Sequence, residues 1–338
     1  MTSSATIELN IGKAIPPGNT TETGNVIALW QQVSSFFSQR HFCGPESADG
    51  ESVSYRVDLN ADALLELMEN ARQEAGSFND WQKRHIENPQ ARIDASVVIR
   101  LTPESGQCKQ AECYRVAAVF LQQLVLAANI AVPGSVQLLN TRFVGPGAHC
   151  YEAQEFDARI LYGAFKSASY NEWPPLNLLE FDTAWQWLEL CQTSRVVTAI
   201  SRINKTLFTL LKVAEQRHET SARTVLLVIY QLEQLLDCRH ANSLELIHNR
   251  TRMILGDIPE AANCLNELAE IRSSLFLANQ PVHRPPLIAH NAAESLRDQM
   301  GQHNSAVEAG TAIVLALIHN LISRNATCYE FTESVTCK

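Results

Sequence analysis

From Phe181 to Leu321 the apolar residues recur at three- and four-residue intervals with hardly a break, and this constrains the chain more than any other feature. A pattern of that period cannot present one clean face from a strand, so the stretch reads as a stack of helices. The segments run Phe181 to Cys191, opened by Asp182 as N-cap, and Arg195 to Ala214, with Val197, Ile200, Asn204, Leu207 and Leu211 on one face. Ser221 to Leu236 follows, then Ser243 to Leu255, closed by Gly256. Asn263 to Leu277 comes next, and 291–300 and 305–323 close the array as two helices. Trp173-Pro174-Pro175 marks where this regime begins.

Before that point the pattern is mixed. Val53 to Leu59 alternates with period two and Val97 to Leu101 is a β-branched run, both strand signatures. Val136 to Phe143 and Phe156 to Phe165 read as further strands around Gly145-Pro146-Gly147. Val26 to Phe37, Asn60 to Ala75 and Ala111 to Ile130 read as helices, the last stopped by Pro133-Gly134. Residues 76–92 read as a loop or a solvated helix. The expected fold class is α+β: a flexible lead-in over 1–24, a mixed α/β domain over 25–172 and an all-α bundle over 173–338.

Composition narrows the function classes. With 46% hydrophobic and 19% charged residues in 338, the chain can bury a sizeable core. No run is expected to span a membrane, and Met1-Thr2-Ser3-Ser4-Ala5 lacks the basic and apolar regions of a secretory signal. Nine cysteines without a CxxC pair fit a reducing cytoplasm better than a disulfide framework. Residues 1–190 carry 13 Lys+Arg against 22 Asp+Glu, and residues 191–338 carry 14 of each. Neither part is a basic domain that coats nucleic acid, so any nucleic acid must be held by a local cluster or by a partner protein.

Common catalytic signatures are missing. The chain has no GxxxxGK[ST], no GxGxxG after a strand, no GxSxG and no HExxH. The His and Cys residues show no zinc spacing beyond the adjacent His149-Cys150. No cofactor and no metal are expected.

What remains is Arg272. On the Asn263 to Leu277 helix it shares a face with Leu265, Leu268 and Leu275. A permanent charge on an apolar stripe is costly unless paired or placed at a working surface. The readings that stay open are an Arg paired with a buried Glu, one that snorkels its head to solvent, or one that faces phosphate. An Arg with a His can cleave RNA without metal, the His moving protons on the ribose oxygens while the guanidinium stabilises charge on the phosphate.

Three stretches bear on that choice. They are Leu178-Leu179-Glu180-Phe181-Asp182-Thr183-Ala184-Trp185-Gln186-Trp187-Leu188, then Val228 to Leu236 with Glu245 to Gly256, and Glu270-Ile271-Arg272-Ser273-Ser274. In this order and spacing, residues about 181–323 resemble the HEPN superfamily, the higher-eukaryote and prokaryote nucleotide-binding helical domain, in its ApeA-like branch. That family's motif is an Arg followed four to six residues later by a His, often with Gly after it. Here Leu277-Ala278 stand where His-Gly would fall, and the next His is His283. Arg297 and His303 do satisfy the spacing. The resemblance therefore implies Arg272 with His283, or Arg297 with His303, as catalytic residues, and Glu233 as an acidic contact to the Arg. It further implies a homodimer in a prokaryotic antiviral or toxin–antitoxin setting, acting as a metal-independent endoribonuclease or a degenerate derivative of one. The competing expectation is a non-catalytic module of a defence complex that binds RNA, a nucleotide or a partner protein, with no membrane involved.

Overall fold

The computed structural model describes residues 4–10, 20–38, 40–45, 53–74, 96–104, 109–138, 141–145, 147–153, 155–215, 222–238, 243–259, 264–276 and 294–332. The chain is mixed α+β and divides into two compact units. The first is built from Met1–Ala158 and Leu178–Thr198, the second from Arg159–Asn177 and Ala199–Lys338, so the units are interleaved along the sequence. The boundary read at 172/173 falls within the 159–177 segment of the second unit.

The first unit holds an antiparallel sheet in the order β2 (His41–Cys43), β3 (Ser54–Asn60), β4 (Ser96–Pro103), β1 (Ala5–Asn10), β5 (Arg142–Val144). Alternation makes its two faces. Ile7, Leu9, Tyr55, Val57, Val97, Ile99 and Leu101 turn to one side and are at most 3% exposed, while Thr6, Glu8, Arg56, Asp58 and Arg100 turn to the other. Helices α1 (Thr20–Phe37), α2 (Asp62–Glu74), α3 (Gln110–Ala131) and α5 (Phe181–Leu190) complete this unit. The chain enters α2 through Asn60, whose Oδ1 accepts from the Asp62 amide at 3.0 Å. The stop after α3 is built by buried Asn129: its Nδ2 donates to the Val125 and Val136 carbonyls, and its Oδ1 accepts from Gly134 N–H at 3.0 Å. Gly134 takes φ +82°, which suits glycine there. The core is aromatic: Trp185 stands edge-on to Phe37 at 4.9 Å, Phe42 meets Phe120 at 5.1 Å, and Phe181 joins the same cluster.

The second unit is helical: α4 (Arg159–Asn171), α6 (Arg202–Ala214), α7 (Ala222–Leu235), α8 (Ser243–Leu255), α9 (Cys264–Phe276) and α10 (Glu294–Ser323). The axis of this unit is α10, packed along α4, α7 and α9. Gly310 makes the packing close: a Cβ there would stand 2.7 Å from Val228 Cγ1 on α7 and 2.9 Å from Leu268 Cδ1 on α9. α8 ends as the sequence suggests, with Gly256 at φ +88° and its N–H bonded to the Arg252 carbonyl.

Several expectations are corrected. Part of the lead-in is β1, an inner strand whose Ala5, Ile7 and Leu9 are fully buried. The strand expected from Phe156 to Phe165 is mostly α4, whose Leu161, Ala164 and Ala168 are buried at helical spacing. Among its described residues, Val136 to Phe143 supplies a bridge from Leu138 to Phe156 and the start of β5. α6 begins at Arg202 behind Ser201, whose Oγ accepts from Asn204 N–H, and Val197 and Ile200 lie before it, largely exposed. Asp182 is not the N-cap of α5; Gln32 of α1 performs that task, its Oε1 accepting from Phe181 N–H at 2.9 Å. The two closing helices are one, running through Gly301-Gln302-His303. Finally, Gln110–Ala131 and Gly301–Ser323 are each long and apolar enough to cross a membrane, where no such run was expected. Most of each apolar window is buried inside the protein, as the core helix of a globular unit would be. Residues 76–92 lie outside the described residues.

Candidate functional site

Arg272 sits on α9 and reaches α7, where its Nη1 donates to Glu233 Oε1 at 3.1 Å. The two side chains are 31% and 22% exposed, so the pair is half-buried. The sequence accounts for its formation. Leu268 and Val228 both meet Gly310 of α10, and four residues beyond Leu268 stands Arg272, five beyond Val228 stands Glu233. α7 and α9 therefore run the same way past α10, and one turn further on their long polar side chains meet.

The direction of α10 follows from the far end of α7. Arg250 donates to the carbonyls of Leu236 and Asp237 and stacks on Phe331 at 4.2 Å. Arg202 lies 3.0 Å from the Asp237 carboxylate and donates to the Tyr329 carbonyl. The Tyr329 hydroxyl donates to the Leu317 carbonyl of α10. The end of α7 thus lies beside the C-terminal half of α10, and the two helices run in the same sense.

This order separates two of the expected site residues. His303 lies seven residues before Gly310, whereas Arg272 lies four beyond Leu268, so the two are roughly 16 Å apart along the bundle at about 1.5 Å per residue. His303 is 7% exposed, and burial pushes its imidazole below the ordinary histidine value. A neutral imidazole can hold or take a proton, but Arg272 does not lie beside it. Arg297 and His303 share α10. Of Arg297 only the helical position is described, and His283 lies outside the described residues.

One turn along α10 from His303, Glu308 lies against Gly163 of α4 and accepts from Asn304 Nδ2 at 2.8 Å. Burial raises its carboxyl above the usual carboxylate range, with the Asn304 bond acting the other way. The cysteine thiols of Cys191 and Cys264 are both pushed up to about 12 by burial, which makes them inert packing groups rather than nucleophiles. Among the described residues no three His, Cys, Asp or Glu gather to hold a metal ion.

Sequence reasoning singled out Arg272 and Glu233, and these two meet. It passed over the cations on the polar face of the sheet, Arg56 and Arg100, which alternate with buried residues in strands already recognised. The strand period was the signal: it puts Arg56, Asp58 and Arg100 on one side. No family model matches the chain, and no curated protein or solved structure is detectably similar to it.

Proposed function

We propose that the helical unit is a HEPN-like domain that acts on RNA in a cytoplasmic, prokaryotic antiviral or toxin-type setting, as a metal-independent endoribonuclease or a degenerate derivative of one. The observation that carries this reading is the Arg272–Glu233 pair. An Arg on the motif helix, held by an acidic residue from an earlier helix, is the arrangement the resemblance implied, and it presents a guanidinium with part of its surface to solvent. Glu233 holds one Nη of the guanidinium, and the fork of an Arg is matched to bidentate recognition of a phosphate. A homodimer fits the same reading, since the proton-transfer group is not supplied beside Arg272 by His303 of the same chain.

The test uses the full chain incubated with mixed RNA in EDTA, with product ends identified. Cleavage that survives EDTA and is lost in Arg272→Ala supports the nuclease. A chain that shows neither cleavage nor RNA binding overturns the reading.

A second reading has its own observation. The separation of His303 from Arg272 favours a module that grips RNA or a partner protein without cutting. Binding without cleavage, lost in Arg272→Ala, is the result that selects it.

A further inference from the structure

The sheet unit contains a cleft of about 720 Å³ beside His41, where β2 begins. β2 pairs with β3 only from Ser54 to Arg56, so the rest of that strand edge has no strand partner among the described residues, and Ser34 and Phe37 of α1, with Ser38 just after it, form the other wall of the cleft. The Glu104 N–H donates to the Ser54 carbonyl across β3 and β4. Strand alternation then turns the peptide groups of Ser54, Arg56, Asp58 and Asn60 toward β4, and those of Val57 and Leu59 toward the open edge. Val57 is 3% exposed with its side chain in the core, so what it offers the cleft is backbone.

Cations ring this edge. Arg40, His41, Arg56 and Arg100 all line the cleft. Arg100 stands opposite Asp58 in the strand register, yet among the described residues it makes no ion pair; Asp58 is taken by Arg56 at 3.3 Å, a weak exposed contact. His41 is held by Glu104 at 2.8 Å, and Arg40 stacks over Phe36 at 4.4 Å. On a chain of net charge -9, three arginines against the one carboxylate of Asp58 among the cleft's lining residues are a local reversal of sign.

We propose that this cleft binds a nucleoside polyphosphate. The guanidiniums of Arg56 and Arg100 take the phosphate oxygens, for which their forked donors are matched. The base lies along the β3 edge, where the N–H and C=O of one residue stand side by side as donor and acceptor, complementary to the paired donor and acceptor on a nucleobase edge. The volume is within the usual range for small-ligand sites, roughly 300–1,000 Å³. This site belongs to the sheet unit and is independent of the role given to Arg272.

Calorimetric titration of the full chain with ATP, GTP, CTP and UTP, and with tripolyphosphate as the base-free probe, tests the assignment. At least one nucleotide should bind tenfold or more tightly than tripolyphosphate, and Arg56→Ala/Arg100→Ala should weaken that binding at least tenfold. Both side chains are exposed, so the melting temperature of the ligand-free double variant should stay unchanged. Equal binding of tripolyphosphate would overturn the role of the strand edge. Absence of binding by all four nucleotides at millimolar concentration, or full binding by the double variant, would overturn the site.

Discussion

Arg272 of α9 and Glu233 of α7 form an ion pair at 3.1 Å that is neither fully exposed nor fully buried. Breaking a buried pair costs about 3–5 kcal/mol and an exposed one about 0–1 kcal/mol. Arg272→Ala should therefore cost about 1–2 kcal/mol. Glu233→Gln should cost less, and the double variant should lose less than the sum, because the orphaned carboxylate is then gone. Urea unfolding of the four proteins measures the coupling; strictly additive losses would mean the pair contributes nothing to the fold.

Gly310 allows α10 to approach Val228 and Leu268. Gly310→Ala should destabilise by about 1–3 kcal/mol through overpacking, despite the better helix propensity of alanine. Val228→Ala made in the Gly310→Ala background should recover part of that loss, since it removes Cγ1, the Val228 methyl that the new Cβ meets. Thermal melting of single and double variants reads both effects.

Glu308 gives the helical unit a pH dependence. Its carboxyl is raised in the folded protein, so the fold holds that proton to higher pH than the unfolded chain does. The stability tied to this group is full below the ordinary carboxylate value and is lost as pH rises through the raised one. Glu308→Gln keeps an oxygen to accept from Asn304 and removes the charge. Its melting temperature should exceed that of the parent at pH 7, with the difference closing toward pH 4; a difference independent of pH would refute the assignment.

Gln32 caps α5 from another helix, accepting from Phe181 N–H while its amide nitrogen bonds the Glu180 carboxylate. Gln32→Ala should cost about 0.5–2 kcal/mol, the range for a lost N-cap. Gln32→Glu retains an acceptor but sets a second carboxylate beside Glu180, so it should not restore stability. Denaturant midpoints for the two variants check the pair of expectations.

Much of the helical part was legible because burial on one side forces a 3.6-residue period into the sequence. α8 and α9 begin and end within a residue of where periodicity and Gly256 place them. The errors have physical causes as well. Ala5, Ile7 and Leu9 alternate as any strand does, but six residues in a polar surrounding carry little signal until β4 is beside them. Tyr162, Ala164 and Phe165 read as an apolar run, and only packing on α10 makes the helical period decisive. The polar residues from Gly301 to Ser305 look like a break, yet a helix anchored along α4, α7 and α9 carries them through.

The sequence by itself determined the α+β class, the sites of most helices and the two residues, Arg272 and Glu233, that meet in the bundle. Those features follow from local periodicity and from the cost of an unpaired charge on an apolar face, and both are written into a linear chain. Tertiary structure alone decided that α7, α9 and α10 run in the same sense, that His303 lies on the far side of Gly310 from Arg272, and that among the described residues β2 leaves half of β3 without a strand partner beside Arg56 and Arg100. Helix direction and strand pairing depend on contacts between residues far apart in sequence, whose partners no local pattern names.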